Sequence, residues 1–138
     1  MKKSKKSEFW IYKTRQTNER WGWSAISDDK SVVAVTIWRD LIGYNENKEP
    51  YYDGFDDHHE NTIHLWGNQI GNEDRKQHLK HAIDELDGYV RVLITVAENI
   101  EAHPREIKDV YHWNDLWFKI TKFDENTGQF SLSFSHRG

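Results

Sequence analysis

The tryptophans are the side chains of this sequence best suited to recognition chemistry. Trp21 and Trp23 flank Gly22 in ERWGWSAI (19–26), Trp38 ends SVVAVTIW (31–38), and Trp66 ends IHLW (63–66). Residues two apart in an extended strand project to the same side, so Trp21 and Trp23 are expected to share one face. Two such indoles could sandwich a nucleobase, at roughly 1–3 kcal/mol per stacked base, or cage a quaternary ammonium. Each can equally fill a core, where tryptophan is commonly buried. Arg39, next to Trp38, and Arg75, in GNEDR (71–75), bring guanidinium groups for phosphate. A helix N-terminus favours anions, although Glu73 and Asp74 in that turn oppose one. Asp53 is expected to read a base edge. Trp21, Trp23, Trp38, Trp66, Asp53, Arg39 and Arg75 thus form the expected ligand-binding set.

Metal and nucleophile chemistry find weaker support. DDHHE (56–60) and His64 offer His58, His59 and His64 as the candidate metal ligands, of a type suited to Zn, Mn or Fe. The spacing is not H-E-x-x-H, and adjacent His58 and His59 point apart in an extended chain. A solvated acidic loop is the preferred reading, and neither a metal nor another cofactor is expected. The chain has no cysteine, no G-x-S-x-G and no P-loop. The expected function is therefore a non-catalytic binding module for a nucleobase or nucleotide, modified or plain and alone or in nucleic acid. A metal-dependent hydrolase built around His58, His59 and His64, or a nuclease using Asp53, Asp56, Asp57 or Glu60 with a divalent ion, is the third choice.

The second choice follows from charge. Net charge is -4 over 138 residues, so no global field draws the chain toward nucleic acid. MKKSKKS carries four lysines and no acid, whereas residues 40–60 hold Asp40, Glu46, Glu49, Asp53, Asp56, Asp57 and Glu60 against Lys48 alone. An acidic loop of this kind suits a basic protein partner, or an inhibitory role that imitates DNA. No run approaches the ~20 apolar residues of a membrane span and no signal-peptide stretch opens the chain, so a soluble, cytoplasmic protein without a membrane partner is expected. Seven Trp, six Tyr and six Phe argue against disorder.

The elements that must position these residues follow from periodicity. Residues 1–7 read as a flexible basic arm before a single domain over 8–138. EFWIYK (8–13) and RWGWSAI (20–26) read as strands. SVVAVTIW is a strand covered on both faces, in a hairpin with its predecessor. Residues 43–62 form a long aperiodic loop, closed by a short strand at IHLW. The main amphipathic helix lies at about 72–87, with Asn72 as N-cap, Gly88 at its C-terminal end, and Leu79, Ala82, Ile83 and Leu86 as its apolar stripe. YVRVLITVA (89–97) is a central strand, and a short helical turn is expected near 105–110. LWFKITKF (116–123) and QFSLSFS (129–135) form a closing hairpin, with Phe130, Leu132 and Phe134 alternating against polar residues. These elements predict an α+β fold: a small, mostly antiparallel, partly closed β-barrel with one main helix.

The order of VVAVTIW, a long loop, one amphipathic helix, YVRVLITVA and the hairpin LWFKITKFDENTGQFSLSF resembles the PUA-like superfamily, the small β-barrels that include ASCH, EVE and YTH modules. That resemblance implies an aromatic pocket holding a base, often a modified one, with Trp21, Trp23, Trp38, Trp66 and Asp53 nominated by position. The net negative charge and acidic loop depart from the basic groove such a reader would carry.

Overall fold

The computed structural model describes residues 5–16, 22–56, 59, 61–62, 69–102, 106–113 and 116–135. Among them are helix α1 (Lys5–Ile11) and strands β1 (Thr14–Arg15), β2 (Ser24–Ser27) and β3 (Val33–Trp38). A 3₁₀ turn (Arg39–Leu41) leads to β4 (Ile42–Tyr44) and β5 (Pro50–Asp53). Helix α2 (Ile70–Glu85) precedes β6 (Tyr89–Ala97), β7 (Ile107–His112), β8 (Trp117–Phe123) and β9 (Phe130–Ser135). The class is α+β. The nine strands follow the order β1-β2-β3-β6-β8-β9-β5-β4, with β7 also on β6, and only β3 and β6 run parallel. The path ends on β1 and β4, which do not pair, so the expected barrel is not closed by hydrogen bonds.

Strand β6 is the branch point. Its first residues pair with β8 (Tyr89 with Lys119, Val90 with Phe118), and its second half pairs with β7 from Leu93 to Ala97. Alternation along β3 and β6 then divides the molecule into two apolar layers. Val33, Val35, Ile37, Val90, Val92 and Ile94 point inward, onto Leu79 and Ala82 of α2 and onto Phe118, Phe130 and Leu132. Ala34 and Leu93 point outward and are covered, with Ala25 and Val110, by Phe9 of α1 and by Tyr12 just after it. This is why VAVTIW reads as a strand buried on both sides.

Three expectations about local structure are corrected. EFWIYK is not a strand: residues 5–11 are helical, because the periodicity that matters is three rather than two. Phe9 is 0% and Tyr12 7% exposed, while Trp10 and Ile11 are 44% and 48% exposed. The N-terminal arm accordingly gives residues 5–7 to α1. The buried Glu8 carboxylate accepts from the His112 backbone N–H at 2.9 Å and approaches its Nδ1 at 3.0 Å, while Tyr12 donates to the Val92 carbonyl at 2.8 Å.

The stretch expected to be aperiodic, 43–62, contains the hairpin β4–β5. Its turn is organised by Asn45, whose Oδ1 accepts from the N–H groups of Asn47 (2.9 Å) and Glu49 (3.0 Å). The helical turn expected near 105–110 is strand β7. IHLW lies outside the described residues.

Helix α2 is close to its predicted span, and Leu79 and Ala82 are buried as expected. Gly88, at φ 81°, donates to the Ala82 carbonyl at 2.8 Å and so closes the helix. Its N-cap is Gln69 rather than Asn72. Asn72 is fully buried one turn further in and is used differently: its Nδ2 donates to the Thr127 carbonyl at 2.9 Å, pinning the helix start to the β8–β9 turn. No helix among the described residues is long and apolar enough to cross a membrane.

Candidate functional site

Two places on this scaffold concentrate chemistry, one inside and one outside. The inner one forms where α2 meets β5 and β9. Trp23 precedes β2 at a bend and its ring turns toward the helix. The Arg75 guanidinium lies 5.0 Å from the centre of that ring and 4.9 Å from the centre of the Phe130 ring. Its NH2 donates to Asn72 Oδ1 at 3.1 Å. Burial lowers the Arg75 pKa to about 10, opposed by Tyr52, so it remains a cation at neutral pH.

Beside it, Asp56, His59 and Tyr52 form a chain: Asp56 Oδ1 to His59 Nδ1 at 2.6 Å, and His59 Nε2 to the Tyr52 hydroxyl at 2.7 Å. A carboxylate only accepts, so Nδ1 carries the proton and Nε2 accepts from Tyr52. Burial pushes the Tyr52 hydroxyl up to about 12, against the pull of Arg75. With Tyr52 and His59 each only 7% exposed, the chain meets solvent through the Asp56 carboxylate, and it ties the stretch after β5 to the sheet. On the same helix, His78 Nδ1 meets the buried Ser24 hydroxyl at 2.6 Å, and burial lowers its pKa.

The expected ligand set is only partly brought together. Trp23 and Arg75 are in contact. Trp38 ends β3 and by alternation faces away from Val35 and Ile37, opposite to the side on which the Trp23 ring meets α2. Arg39 is exposed in the 3₁₀ turn. Asp53 is exposed at the end of β5, where its Oδ1 accepts from the Ser131 hydroxyl at 3.1 Å and the Phe55 N–H at 2.9 Å. Trp21, Trp66, His58 and His64 lie outside the described residues, so the shared face of Trp21 and Trp23 does too. Among the described residues no group of three His, Cys, Asp or Glu is placed to hold a metal ion.

The outer place is the reverse side of β6, β8, β9 and β5, beyond the part that α1 covers. Strand register lays its side chains in rows. One row crosses the sheet as Tyr89, Lys119, Ser133, Tyr51 and Gly43. On one side of it lie Trp117 and Ser135, with the Arg91 guanidinium 4.7 Å from the Trp117 ring centre. On the other lie Lys122, Ser131 and Asp53, with Lys122 Nζ 4.1 Å from the Phe55 ring centre.

The Tyr51 ring lies over Gly43, where a Cβ would stand 2.5 Å from its Cζ; a side chain there would displace the ring. Arg91, Lys119 and Lys122 lie on this face with Asp53, and Asp87 lies beside Lys119 and Tyr89 at its edge. The three serines form a low central column along β9. Long side chains of β8 stand on one flank, and Tyr51 with Asp53 on the other.

Such a face can stack planar groups and pair phosphates. Its residues lie outside the expected set, apart from Asp53. The signal for them was the polar half of the alternation in LWFKITKF and QFSLSFS, the half that a core-directed reading sets aside as solvated. Comparisons of the chain with protein-family models, curated proteins and solved structures give no match, so the chemistry of the faces is the ground for a functional reading.

Proposed function

We propose that this protein is a binding module for single-stranded nucleic acid, with the outer face of β6, β8, β9 and β5 as its contact surface. The observation that carries the reading is the register row Tyr89–Lys119–Ser133–Tyr51, which sets rings beside a cation and a small hydroxyl across the sheet. Aromatic rings accept any base by stacking, and lysines at the same level neutralise the phosphates between bases. The reading keeps the ligand class that the PUA-like resemblance implies. It moves the contact from a pocket near the N-terminal tryptophans to the sheet face. The buried set of Arg75, Tyr52 and His59 then serves the core beneath that face. The competing reading, a basic protein docked on exposed Glu46 and half-buried Glu49 of the β4–β5 turn, makes no use of these lysines.

The test is a salt titration of binding to a single-stranded oligonucleotide, comparing the native protein with the exposed double variant Lys119→Ala/Lys122→Ala. Each phosphate contact on a single strand contributes about 0.7 to the slope of log K against log salt. Loss of two should flatten the slope by about 1.4 and weaken binding on the order of 25-fold at 0.1 M salt. No binding by the native protein at 50 mM salt, or an unchanged slope in the variant, would overturn the proposal.

A further inference from the structure

We infer that the outer face selects RNA over DNA, with Asp53 and the serine column of β9 reading the ribose 2′-hydroxyl; this rests on the nucleic-acid reading above. The first observation is the shape of the face. Ser131, Ser133 and Ser135 are successive outward residues of β9, and they form the floor of a trough between Lys119 and Lys122 on one flank and Tyr51 and Asp53 on the other. From Ser131 to Ser135 the trough runs about 14 Å at ~3.4 Å per residue. A strand laid along it has bases toward the rings, phosphates toward the lysines, and sugars over the floor.

The second observation is Asp53 itself. A carboxylate on a phosphate-binding face repels every phosphate near it, so for DNA this residue is only a cost. For RNA the balance reverses, because a 2′-hydroxyl is a donor as well as an acceptor, and it is the group by which proteins tell RNA from DNA. Asp53 is held for this role. The Ser131 hydroxyl and the Phe55 N–H both converge on Oδ1, which orients the carboxylate and leaves Oδ2 without a donor among the described residues. Ser133, next along the column, is paired across the strands with Tyr51 and Lys119, where a second sugar would pass between ring and cation.

The experiment uses oligomers of one length and one base: oligouridylate, its 2′-deoxy counterpart, and its 2′-O-methyl counterpart, which keeps the oxygen and loses the donated proton. A hydrogen bond to a charged acceptor corresponds to about 10- to 100-fold in affinity. The native protein should prefer the ribo-oligomer by that factor and bind the 2′-O-methyl form like the deoxy form. Asp53→Ala should bring the ribo and deoxy affinities together, weakening the first and strengthening the second. Ser133→Ala, whose native side chain is a small hydroxyl on an exposed strand face, should reduce the preference while leaving the melting temperature unchanged, which guards against a folding artefact at Asp53. Equal native affinity for ribo and deoxy forms overturns the inference and leaves the single-strand reading standing. A preference that survives both substitutions also overturns it. No binding of any of the three oligomers overturns the underlying reading.

Discussion

Gly128 and Asn72 face each other where the β8–β9 turn meets the start of α2, and a double-mutant cycle on them tests whether they lock the two together. Gly128 has φ 85°, and a Cβ built there would lie 2.3 Å from Asn72 Oδ1. Gly128→Ala therefore costs twice. The left-handed backbone costs about 1–2 kcal/mol for a residue with a Cβ. In addition, the Asn72 amide must leave its place, giving up the bonds to the Thr127 carbonyl and the Arg75 guanidinium. Breaking bonds at a fully buried amide costs about 1–3 kcal/mol, so the single change should destabilise by about 2–5 kcal/mol in all.

Asn72→Ala removes the same two bonds outright and should cost about 2–3 kcal/mol. In that background the new methyl meets no amide, and Gly128→Ala should cost only its backbone share of about 1–2 kcal/mol. The double variant is then more stable than the sum of the singles by on the order of 2 kcal/mol. Urea unfolding of the four proteins, with m-values unchanged, measures this directly. Additivity within about 0.5 kcal/mol would refute the argument, because it would mean that the turn and the helix are not locked through Asn72.

Two further outcomes test the fold. Phe9→Ala should destabilise by about 3–5 kcal/mol, whereas Trp10→Ala, one residue on and larger, should cost under about 1 kcal/mol by thermal or urea unfolding; equal costs would contradict the helical register of α1. His78 has its pKa lowered by burial beside Ser24, so below the ordinary value of 6.5 the unfolded chain takes up a proton that the folded chain refuses. Its contribution to stability is complete above that value and is lost as pH falls through the lowered folded pKa. Unfolding free energies at pH 7.5 and pH 5 should therefore converge for His78→Gln relative to the native protein, and an identical pH dependence would refute the assignment.

The sequence was most legible where one periodicity dominated over a whole element. VAVTIW, YVRVLITVA and the closing hairpin announce their strands, and Leu79, Ala82 and Gly88 place α2 and its end. Legibility failed where a side chain's partner is distant. In EFWIYK the aromatic and β-branched content favours a strand, but Glu8 and Tyr12 are claimed together by β7 and β6 some 80 to 104 residues later, and that claim selects a helix. Asn72 has the composition of a cap, yet the β8–β9 turn takes its side chain, a contact no local window contains. The hairpin β4–β5 was hidden because its turn rests on the side-chain hydrogen bonds of Asn45 rather than on a glycine. Of the site, the sequence singles out Trp23 as a stacking ring and Arg75 as a phosphate ligand, and gives no sign of the contact between them. The rows of the outer face depend on the register between four strands, and alternation within each strand gives the two faces without saying which residues meet.

The span between α1 and its partners has a consequence for how the chain comes into being. On the ribosome, Phe9, Trp10 and Ile11 emerge well before His112, whose backbone binds Glu8 and which is made about a hundred residues later. At ~5–20 residues per second, the helix waits on the order of 5–20 s for the strand that covers it. Until β7 exists, Leu93 and Ala34 have no lid and the apolar side of α1 has no seat. The lysines of α1 and those before it are then more than a surface feature. They keep an unfinished segment in solution during the interval in which it is most exposed to aggregation.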